Sequence, residues 1–181
     1  GSGVYALAEM LKDEMFQKTG ASLEIKKVLV RNTKKDRPGI PKEIMTDNCQ
    51  EILEDEEIQL VIELMGGVEP ARTYIVQALE AGKQVVTANK DVLAEHGQEI
   101  LSLAENSGCD IQFEAAVAGA IPIIRPLKQS LAGSMLTEIM GIVNGTTNYI
   151  LTKMSEEGMD YKEALAKATE LGYAEADPTA D

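Results

Sequence analysis

The sequence predicts an α/β protein in two parts: a Rossmann-like, doubly wound parallel sheet, followed by the start of an α+β domain. Up to about residue 110, short apolar runs of strand type alternate with helical patterns, which is typical of right-handed βαβ units. Beyond residue 110 two helices follow one another and the alternation ends. We therefore place one domain at residues 1–110 and the beginning of a second at residues 111–181.

The first elements follow from helical periodicity and from glycine. GSGVYALAEMLKDEM carries Val4, Leu7 and Leu11 at helical spacing, and Gly20 ends this helix. LEIKKVLV has the composition of a strand that ends at Arg31. The polar, proline-containing segment NTKKDRPGIPKE is predicted to be a loop, and a short helical stretch follows it.

The middle of the chain predicts two βαβ units. IQLVIELMGG is an apolar strand stopped by glycines, and the next helix has Pro70 near its start and Gly82 beyond its end. KQVVTANK is the next strand, HGQEILSLAENSG the next helix, and CDIQFEAAVAG a further strand. Strands connected in this way run parallel, so their carboxyl ends share one edge of the sheet.

The second part has a different order of elements. IPIIRPLKQSLAG is predicted to be helical and SMLTEIMGIVNG to be a strand. Two helices follow, and the second begins with Asp160 and Glu163 at the spacing of a capping box and ends at Gly172. This part has not completed a domain by Asp181, so we expect a truncated chain.

Composition restricts the classes of partner. The chain has 30 acidic and 17 basic residues, a net charge of -13, and only 4% aromatic residues. Nucleic acids require a basic surface and often aromatic stacking platforms, so we expect no nucleic-acid partner. No apolar run approaches the roughly 18 residues of a membrane span, and no basic-then-apolar leader opens the chain. We expect no membrane partner.

The thiols and the imidazole do not form a metal-binding pattern. Cys49 and Cys109 are far apart and lie in no CxxC spacing, and His96 is the single histidine. We therefore expect no zinc site. The two cysteines are interpreted as reduced thiols in a cytoplasmic protein.

Two segments end strands at the carboxyl edge, where α/β proteins bind their ligands. Gly66 and Gly67 end the middle strand, and small residues there allow a nucleotide to approach the backbone. Lys90 follows the next strand in VVTANKDVL. The alternatives are a tight turn for the glycines and a solvated surface charge for the lysine.

The beginning of the chain is a candidate cofactor site. Gly1 and Gly3 precede a helix and match the tail of a glycine-rich phosphate loop, although a cloning scar would look the same. Arg31 ends the following strand, at the position where an arginine accommodates the 2′-phosphate of NADP. Lys34, Lys35 and Arg37 follow it. The alternative is a solvated basic loop.

The second part carries three further candidates. Glu114 lies in FEAAVAGAIP, where an irregular turn with free carbonyl groups and one carboxylate suits a hard cation. Thr146 and Thr147 follow a glycine at a helix start, where a threonine cap is the simpler interpretation. The last segment, GYAEADPTAD, is an acidic loop that either binds an ammonium group or is merely solvated.

Taken together, these segments resemble the homoserine dehydrogenase family. VNGTTNYILTKM with LGYAEADPTAD is similar to the signature region of that family, and VVTANKDVLA, ELMGG and EAAVAGAIPII match its pattern in the expected order. The resemblance covers the chain from Gly1 to Asp181. It implies reduction of L-aspartate 4-semialdehyde to L-homoserine with NAD(P)H, in the pathway to threonine, methionine and isoleucine.

The resemblance also implies roles for particular residues. Lys90 would stand between nicotinamide and substrate as a catalytic and cofactor-binding residue. The substrate would contact Glu175, through its amino group, together with Tyr173, Gly145, Thr146 and Asp181. Gly1 would be the last glycine of the dinucleotide loop, whose first strand would be missing. A sodium ion would be bound by Glu114 and by the carbonyl oxygens of Val117, Gly119 and Ile121.

The resemblance has one departure. The second lysine of the family, its usual proton-transfer residue, and a further active-site aspartate lie beyond Asp181. With Arg31 we expect a preference for NADP(H), with NAD(H) as the second option. The resemblance further implies a second domain that binds substrate and a homodimer when the protein is intact. Two alternatives stay open: a non-catalytic nucleotide-binding protein, and a related two-domain oxidoreductase acting on another small aldehyde.

Overall fold

The computed structural model describes residues 1–142 and 144–174. It contains seven α-helices and five short strands among these residues. The helices are α1 (Ser2–Met10), α2 (Lys12–Thr19), α3 (Gln50–Leu53), α4 (Ala71–Glu80), α5 (Lys90–Ser107), α6 (Gly145–Glu157) and α7 (Tyr161–Glu170). The strands are β1 (Val28–Leu29), β2 (Met45–Thr46), β3 (Leu60–Glu63), β4 (Gln84–Thr87) and β5 (Ile111–Gln112).

All described strand pairs are parallel. β1 pairs with β2, and a second sheet has the order β3-β4-β5, with Val61 opposite Val85 and Val85 opposite Ile111. Helices α4 and α5 connect the strands of the second sheet, as βαβ units require. The predicted α/β class with a Rossmann-like parallel sheet is confirmed.

The chain divides into two compact units, one from Gly1 to Ala116 and one that begins at Val117. The core of the first unit lies between the β3-β4-β5 sheet and helices α4 and α5. Its buried residues are Ala71, Ile75, Ala78, Leu79, Val85, Val92, Ile100, Ala104 and Ile111. In the second unit a smaller core joins α6 and α7 through Ile150, Ala164, Ala168 and Ala174.

Helix ends agree with the sequence prediction where a local signal exists. Gly20 ends the predicted first helix with a left-handed backbone, φ 72°, although this helix divides at Leu11 into α1 and α2. Pro70 precedes the first residue of α4, and Gly82 lies beyond its end. At α7 the Oδ1 atom of Asp160 accepts hydrogen bonds from the backbone N–H groups of Lys162 and Glu163 (2.8 and 3.1 Å), as the capping pattern predicts.

Strand lengths were predicted wrongly in the first unit. The strand expected over residues 23–30 is confined to Val28–Leu29, because its partner Met45–Thr46, which was not predicted, is only two residues long. The strand expected in CDIQFEAAVAG is confined to Ile111–Gln112, and residues 114–116 and 118–120 form 3-10 turns instead. Its neighbour β4 ends at Thr87, so no partner backbone continues beside it.

Two further corrections concern element type and start. The strand expected over SMLTEIMGIVNG is absent from residues 134–142, which have no regular structure; Val143 lies outside the described residues. A strand exists only where a neighbouring strand accepts its hydrogen bonds, and the described part of the second unit contains none. Helix α5 begins at Lys90 and not near His96, because Asn89 caps it. The helix predicted over residues 121–133 is present only over residues 124–130, where it ends in a π-type turn at Pro126–Ser130.

Candidate functional site

A buried polar network occupies the carboxyl ends of β3 and β4, which we call the carboxyl edge. The side chain of Glu63 is 5% exposed and that of Thr87 is fully buried. Thr87 Oγ1 donates to Glu63 Oε2 at 2.5 Å, and the backbone N–H of Met65 donates to Glu63 Oε1 at 2.5 Å. A carboxylate this deeply buried requires such partners. The network therefore fixes the first residues after β3 relative to the last residue of β4.

Asn89 continues this network into both segments that follow the strands. Its backbone N–H donates to Thr87 Oγ1 (3.0 Å), and its Oδ1 accepts from the N–H of Val92 (3.1 Å), which caps α5. Its Nδ2 donates to the carbonyl oxygens of Met65 (3.3 Å) and Gly67 (2.8 Å). Asn89 itself is 5% exposed. One side chain thus holds together the start of α5 and the segment Met65–Gly67, which we call the glycine loop.

The predicted residues Gly66, Gly67 and Lys90 lie in the two segments that Asn89 joins. Both glycines are exposed, and Gly67 has φ 76°. Apart from the glycine itself and its two chain neighbours, no heavy atom lies within 4 Å of the position that a Cβ would take at either glycine. Lys90 is exposed and is the first residue of α5. The glycine loop and the lysine helix are therefore neighbours at the carboxyl edge, as parallel strands require.

The basic loop after β1 is partly structural. Arg31, Lys34 and Lys35 are exposed. Arg37, by contrast, donates from Nη1 to the carbonyl oxygens of Asn32 (3.0 Å) and Lys35 (3.1 Å) and so holds the loop closed. Arg37 is therefore occupied in shaping the loop, and three other basic side chains extend from it. At the chain start, Gly1 precedes the first residue of α1, which buries none of its residues.

In the second unit the structure brings Thr146 and Tyr173 together. Thr146 is 7% exposed, and its Oγ1 donates to the carbonyl oxygen of Tyr173 at 2.5 Å. The ring of Tyr173 stacks on Tyr149, with centroids 4.9 Å apart. The helix cap is Asn144, whose Oδ1 accepts from the N–H of Thr147 at 2.7 Å, so the expected threonine cap is corrected. Gly145 is the first residue of α6 and is exposed.

The predicted sodium ligands lie on both sides of the boundary between the two units. Glu114 begins a 3-10 turn at the end of the first unit. In the second unit Val117 and Ile121 are extended, and between them Ala118 (φ 52°) and Gly119 (φ 55°) are both left-handed. A left-handed alanine is uncommon and costs free energy, so this turn has a defined, strained shape.

The acidic residues Glu175, Asp177 and Asp181 lie outside the described residues. Their predicted roles at the substrate, and the predicted convergence of Glu175 with Lys90, stay predictions. Within residues 1–142 and 144–174 no cluster of three or more His, Cys, Asp or Glu side chains is arranged to bind a metal ion. In the same ranges no helix combines the length and apolar character of a membrane span.

Ion pairs on the helices perturb several pKa values. The hydrogen-bonded guanidinium of Arg72 on α4 lowers the pKa of Glu99 on α5, with a smaller contribution from His96, whose Nδ1 lies 3.5 Å from Glu99. On α6, Lys153 lowers the pKa of Glu157 through an i,i+4 hydrogen bond. Burial raises the pKa of the Cys49 thiol. Both ion pairs lie at the protein surface. The Arg72–Glu99 pair connects α4 with α5, and the Lys153–Glu157 pair connects neighbouring turns of α6.

Sequence reasoning missed Glu63, Thr87, Asn89 and Asn144. Each had a local signal: a single carboxylate inside the apolar run IQLVIELM, a hydroxyl inside VVTAN, and, for both asparagines, a position directly before a helix. No local signal identifies the hydrogen-bond partner of Asn89, because Asn89 and Gly67 are 22 residues apart in the chain.

A parallel sheet whose carboxyl edge presents an open glycine loop beside a helix start defines a dinucleotide-binding α/β protein. Comparison with protein families agrees. Residues 3–114 match the model described as homoserine dehydrogenase, NAD binding domain, and residues 122–181 match the model described as homoserine dehydrogenase. The chain belongs to the homoserine dehydrogenase family.

Individual relatives give the same result. The chain is 48% identical over 182 residues to a homoserine dehydrogenase of Bacillus subtilis, with all of this chain and 42% of the relative covered. It is 51% identical over 181 residues to that of Mycobacterium tuberculosis, with 100% of this chain and 41% of the relative covered. The chain thus spans about two fifths of the length of the curated relatives it matches.

Solved structures share the fold. A homoserine dehydrogenase from Thiobacillus denitrificans is 41% identical with a TM-score of 0.89, and the alignment covers 100% of this chain and 42% of that one. A hyperthermophilic archaeal homoserine dehydrogenase in complex with NADPH is 29% identical with a TM-score of 0.80, covering 100% of this chain and 61% of that one.

Proposed function

We propose that the full-length protein is a homoserine dehydrogenase that reduces L-aspartate 4-semialdehyde to L-homoserine with NADPH. Family membership supports the reaction class. The observation that carries the proposal most directly is the carboxyl edge, where Asn89 hydrogen-bonds to the glycine loop and caps the helix of Lys90. At this edge α/β proteins bind nucleotides.

The chain's own backbone fits a bound nucleotide. Gly66 and Gly67 are exposed and have open space where a Cβ would otherwise stand, so phosphate or ribose oxygens can approach the main chain. Gly1, before α1, would contribute the end of the phosphate loop. When bound, the cofactor supplies the hydride for the aldehyde carbon.

Lys90 is proposed as the catalytic residue of this chain. As hydride adds to the carbonyl carbon, negative charge develops on the oxygen, and an ammonium group nearby stabilises that charge and donates a proton. Lys90 lies at the carboxyl edge and is exposed, which suits contact with both cofactor and substrate. Its position beside the glycine loop supports the additional role in cofactor binding.

Arg31 supports a preference for NADP(H) over NAD(H). It lies two residues after the end of β1, and Lys34 and Lys35 extend from the same loop, whose shape Arg37 maintains. An arginine here suits the dianionic 2′-phosphate, whereas a carboxylate would suit the free 2′-hydroxyl. The archaeal relative in complex with NADPH supports NADPH as a cofactor.

The substrate site is proposed to include Thr146 and Tyr173, supported by the hydrogen bond between them and by the adjacent Gly145 at the start of α6. Glu175 would pair with the substrate ammonium group and orient the aldehyde, and Asp181 would line the same pocket. We further propose a sodium ion bound by Glu114 and the carbonyl groups of Val117, Gly119 and Ile121. The two left-handed residues within that turn support it.

The organisation of the full-length protein is also part of the proposal. Residues 1–110 would form the nucleotide-binding domain and residues 111–181 the beginning of the substrate and dimerisation domain. The protein would be a cytoplasmic homodimer, with no nucleic-acid or membrane partner. The net charge of -13 supports the absence of a nucleic-acid partner.

Steady-state kinetics of the full-length protein test the function. We expect NADPH oxidation that requires L-aspartate 4-semialdehyde, with kcat/KM higher for NADPH than for NADH. Lys90→Ala should lower kcat by at least about 10²-fold, the scale of a lost proton donor. The matched control is Lys162→Ala, an exposed lysine near the start of another helix, which should leave kcat unchanged.

The outcomes separate the alternatives. Nucleotide binding without turnover would favour a non-catalytic nucleotide-binding protein, and turnover of other aldehydes alone would favour a related oxidoreductase. A kcat that survives Lys90→Ala would remove Lys90 from the mechanism, and a clear NADH preference would contradict the role of Arg31.

A further inference from the structure

We propose that Asn89 is a positioning residue that couples the glycine loop to the helix carrying Lys90, so that cofactor affinity and turnover depend on the same amide. This inference rests on the proposed dehydrogenase function. Asn89 would not touch substrate or cofactor, because its side chain is occupied by backbone groups of Met65, Gly67 and Val92.

The amide uses its two ends for different segments. Its oxygen accepts from the N–H of Val92 and fixes the first turn of α5, where Lys90 is the first helical residue. Its nitrogen donates to the carbonyl oxygens of Met65 and Gly67 and fixes the loop. An amide is the smallest side chain that has both an acceptor and two donors in one plane. One rigid group therefore both caps α5 and forms the hydrogen bonds to the glycine loop.

The strands provide a fixed base for this group. Thr87 accepts from the backbone N–H of Asn89 and donates to Glu63, and Glu63 accepts from the N–H of Met65. The loop is thus held from two sides, by Glu63 at Met65 and by Asn89 at Met65 and Gly67. A bound cofactor that contacts the glycine loop would consequently be placed at a defined distance from Lys90.

Substitutions at position 89 separate the capping of α5 from the hydrogen bonding to the glycine loop. Serine accepts from a helix N–H nearly as well as asparagine but is too short and has no amide donor for the loop. Aspartate also caps, but its carboxylate would face the carbonyl oxygens of Met65 and Gly67 and repel them. Alanine loses both the cap and the hydrogen bonds to the loop.

The test compares these variants in the full-length protein, with NADPH as the probe in binding titrations. Asn89→Ser should weaken NADPH binding about tenfold, equivalent to about 1.4 kcal/mol. It should also lower kcat at saturating NADPH, because Lys90 loses its fixed place beside the loop. Asn89→Asp should weaken binding more than Asn89→Ser.

Lys83→Met is the matched control for lost stability. Lys83 is 4% exposed, and its Nζ also donates to two backbone carbonyl oxygens, those of Asp55 and Ile58, at 2.8 and 2.7 Å. These groups precede β3 and β4, at the opposite edge of the same sheet. Lys83→Met should lower the urea midpoint as much as Asn89→Ser does, yet leave the NADPH dissociation constant and kcat within about twofold of wild type.

A double-mutant cycle with Lys90→Ala shows whether Asn89 acts through Lys90. If it does, Asn89→Ser should lower kcat much less in the Lys90→Ala background than in the wild type. Additive effects on kcat, or an Asn89→Ser variant with unchanged NADPH affinity, would overturn the coupling while leaving the dehydrogenase function intact. A wild-type protein that neither binds NADPH nor turns over would instead overturn the proposed function itself.

Discussion

Thr87→Val tests the energetic weight of the buried network at the carboxyl edge. Valine preserves the shape and volume of threonine but removes the hydroxyl. That hydroxyl donates to Glu63 Oε2 at 2.5 Å and accepts from the N–H of Asn89 at 3.0 Å. Thr87 is fully buried, and Glu63 and Asn89 are each 5% exposed, so neither partner has solvent available as a substitute. The variant therefore leaves one carboxylate oxygen and one N–H group unsatisfied.

The size of the effect follows from these two losses. A hydrogen bond to a charged group contributes about 1.5–3 kcal/mol, and an unsatisfied buried N–H costs about 1–3 kcal/mol. Together we expect a loss of roughly 3–5 kcal/mol, a large fraction of the 5–15 kcal/mol typical of a domain. For a chain of this size that corresponds to a melting temperature lower by roughly 6–20 °C.

Far-UV circular dichroism is the suitable assay, because the chain has no tryptophan. Thermal and urea unfolding should be compared for wild type, Thr87→Val and Thr87→Ser. Serine keeps the hydroxyl and loses one methyl group, so its cost should be only about 1 kcal/mol. A Thr87→Val variant that melts within about 2 °C of wild type, or no less stable than Thr87→Ser, would refute the assigned hydrogen bonds.

Three further predictions concern other parts of the chain. Gly67→Ala should lower the free energy of urea unfolding by about 1–2 kcal/mol, because Gly67 has φ 76° and alanine disfavours that conformation. Gly67→Asn should lower it less, since asparagine tolerates a left-handed backbone; a Gly67→Ala variant as stable as wild type would contradict this. Glu99→Gln should flatten the acid dependence of stability: Arg72 lowers the pKa of Glu99 from 4.5, so its contribution is present above that value and is lost as pH falls through the folded pKa. Urea midpoints between about pH 6 and pH 3 measure this, and identical slopes in variant and wild type would contradict it. Thr146→Val should destabilise the protein by about 1 kcal/mol and, in the full-length protein, raise the KM for homoserine, whereas Thr146→Ser, which keeps the hydroxyl, should leave that KM unchanged.

Local chemistry was sufficient to predict helix ends and the carboxyl edge. Asp160, Gly20 and Pro70 each act within a few residues of their position, so their sequence context determines what they do. The order of strands and helices likewise predicts that Gly66 and Lys90 share an edge, since parallel strands end on the same side.

Strand extent and long-range hydrogen bonds could not be predicted in this way. Residues 114–120 have strand-like composition next to β5, but a strand continues only where its neighbour supplies hydrogen bonds, and β4 ends at Thr87. In the same way, Asn89 looks like an ordinary helix cap in the sequence. Its hydrogen bond to Gly67 depends on how α4 connects β3 to β4 in space, which the hydrophobic periodicity of the sequence does not predict.

The position of Lys90 gives the last prediction. The first turn of a helix has a partial positive charge, which disfavours a lysine as the first residue of α5 and favours Asp91 in the same turn. Lys90→Gln should therefore stabilise the protein slightly, by about 0.3–1 kcal/mol, while lowering kcat. The increase in urea midpoint should shrink at high salt, because the dipole interaction is screened. If both results are observed, Lys90 reduces stability where it stands and is retained for turnover; if Lys90→Gln lowers the urea midpoint, the lysine is instead a structural part of the helix start.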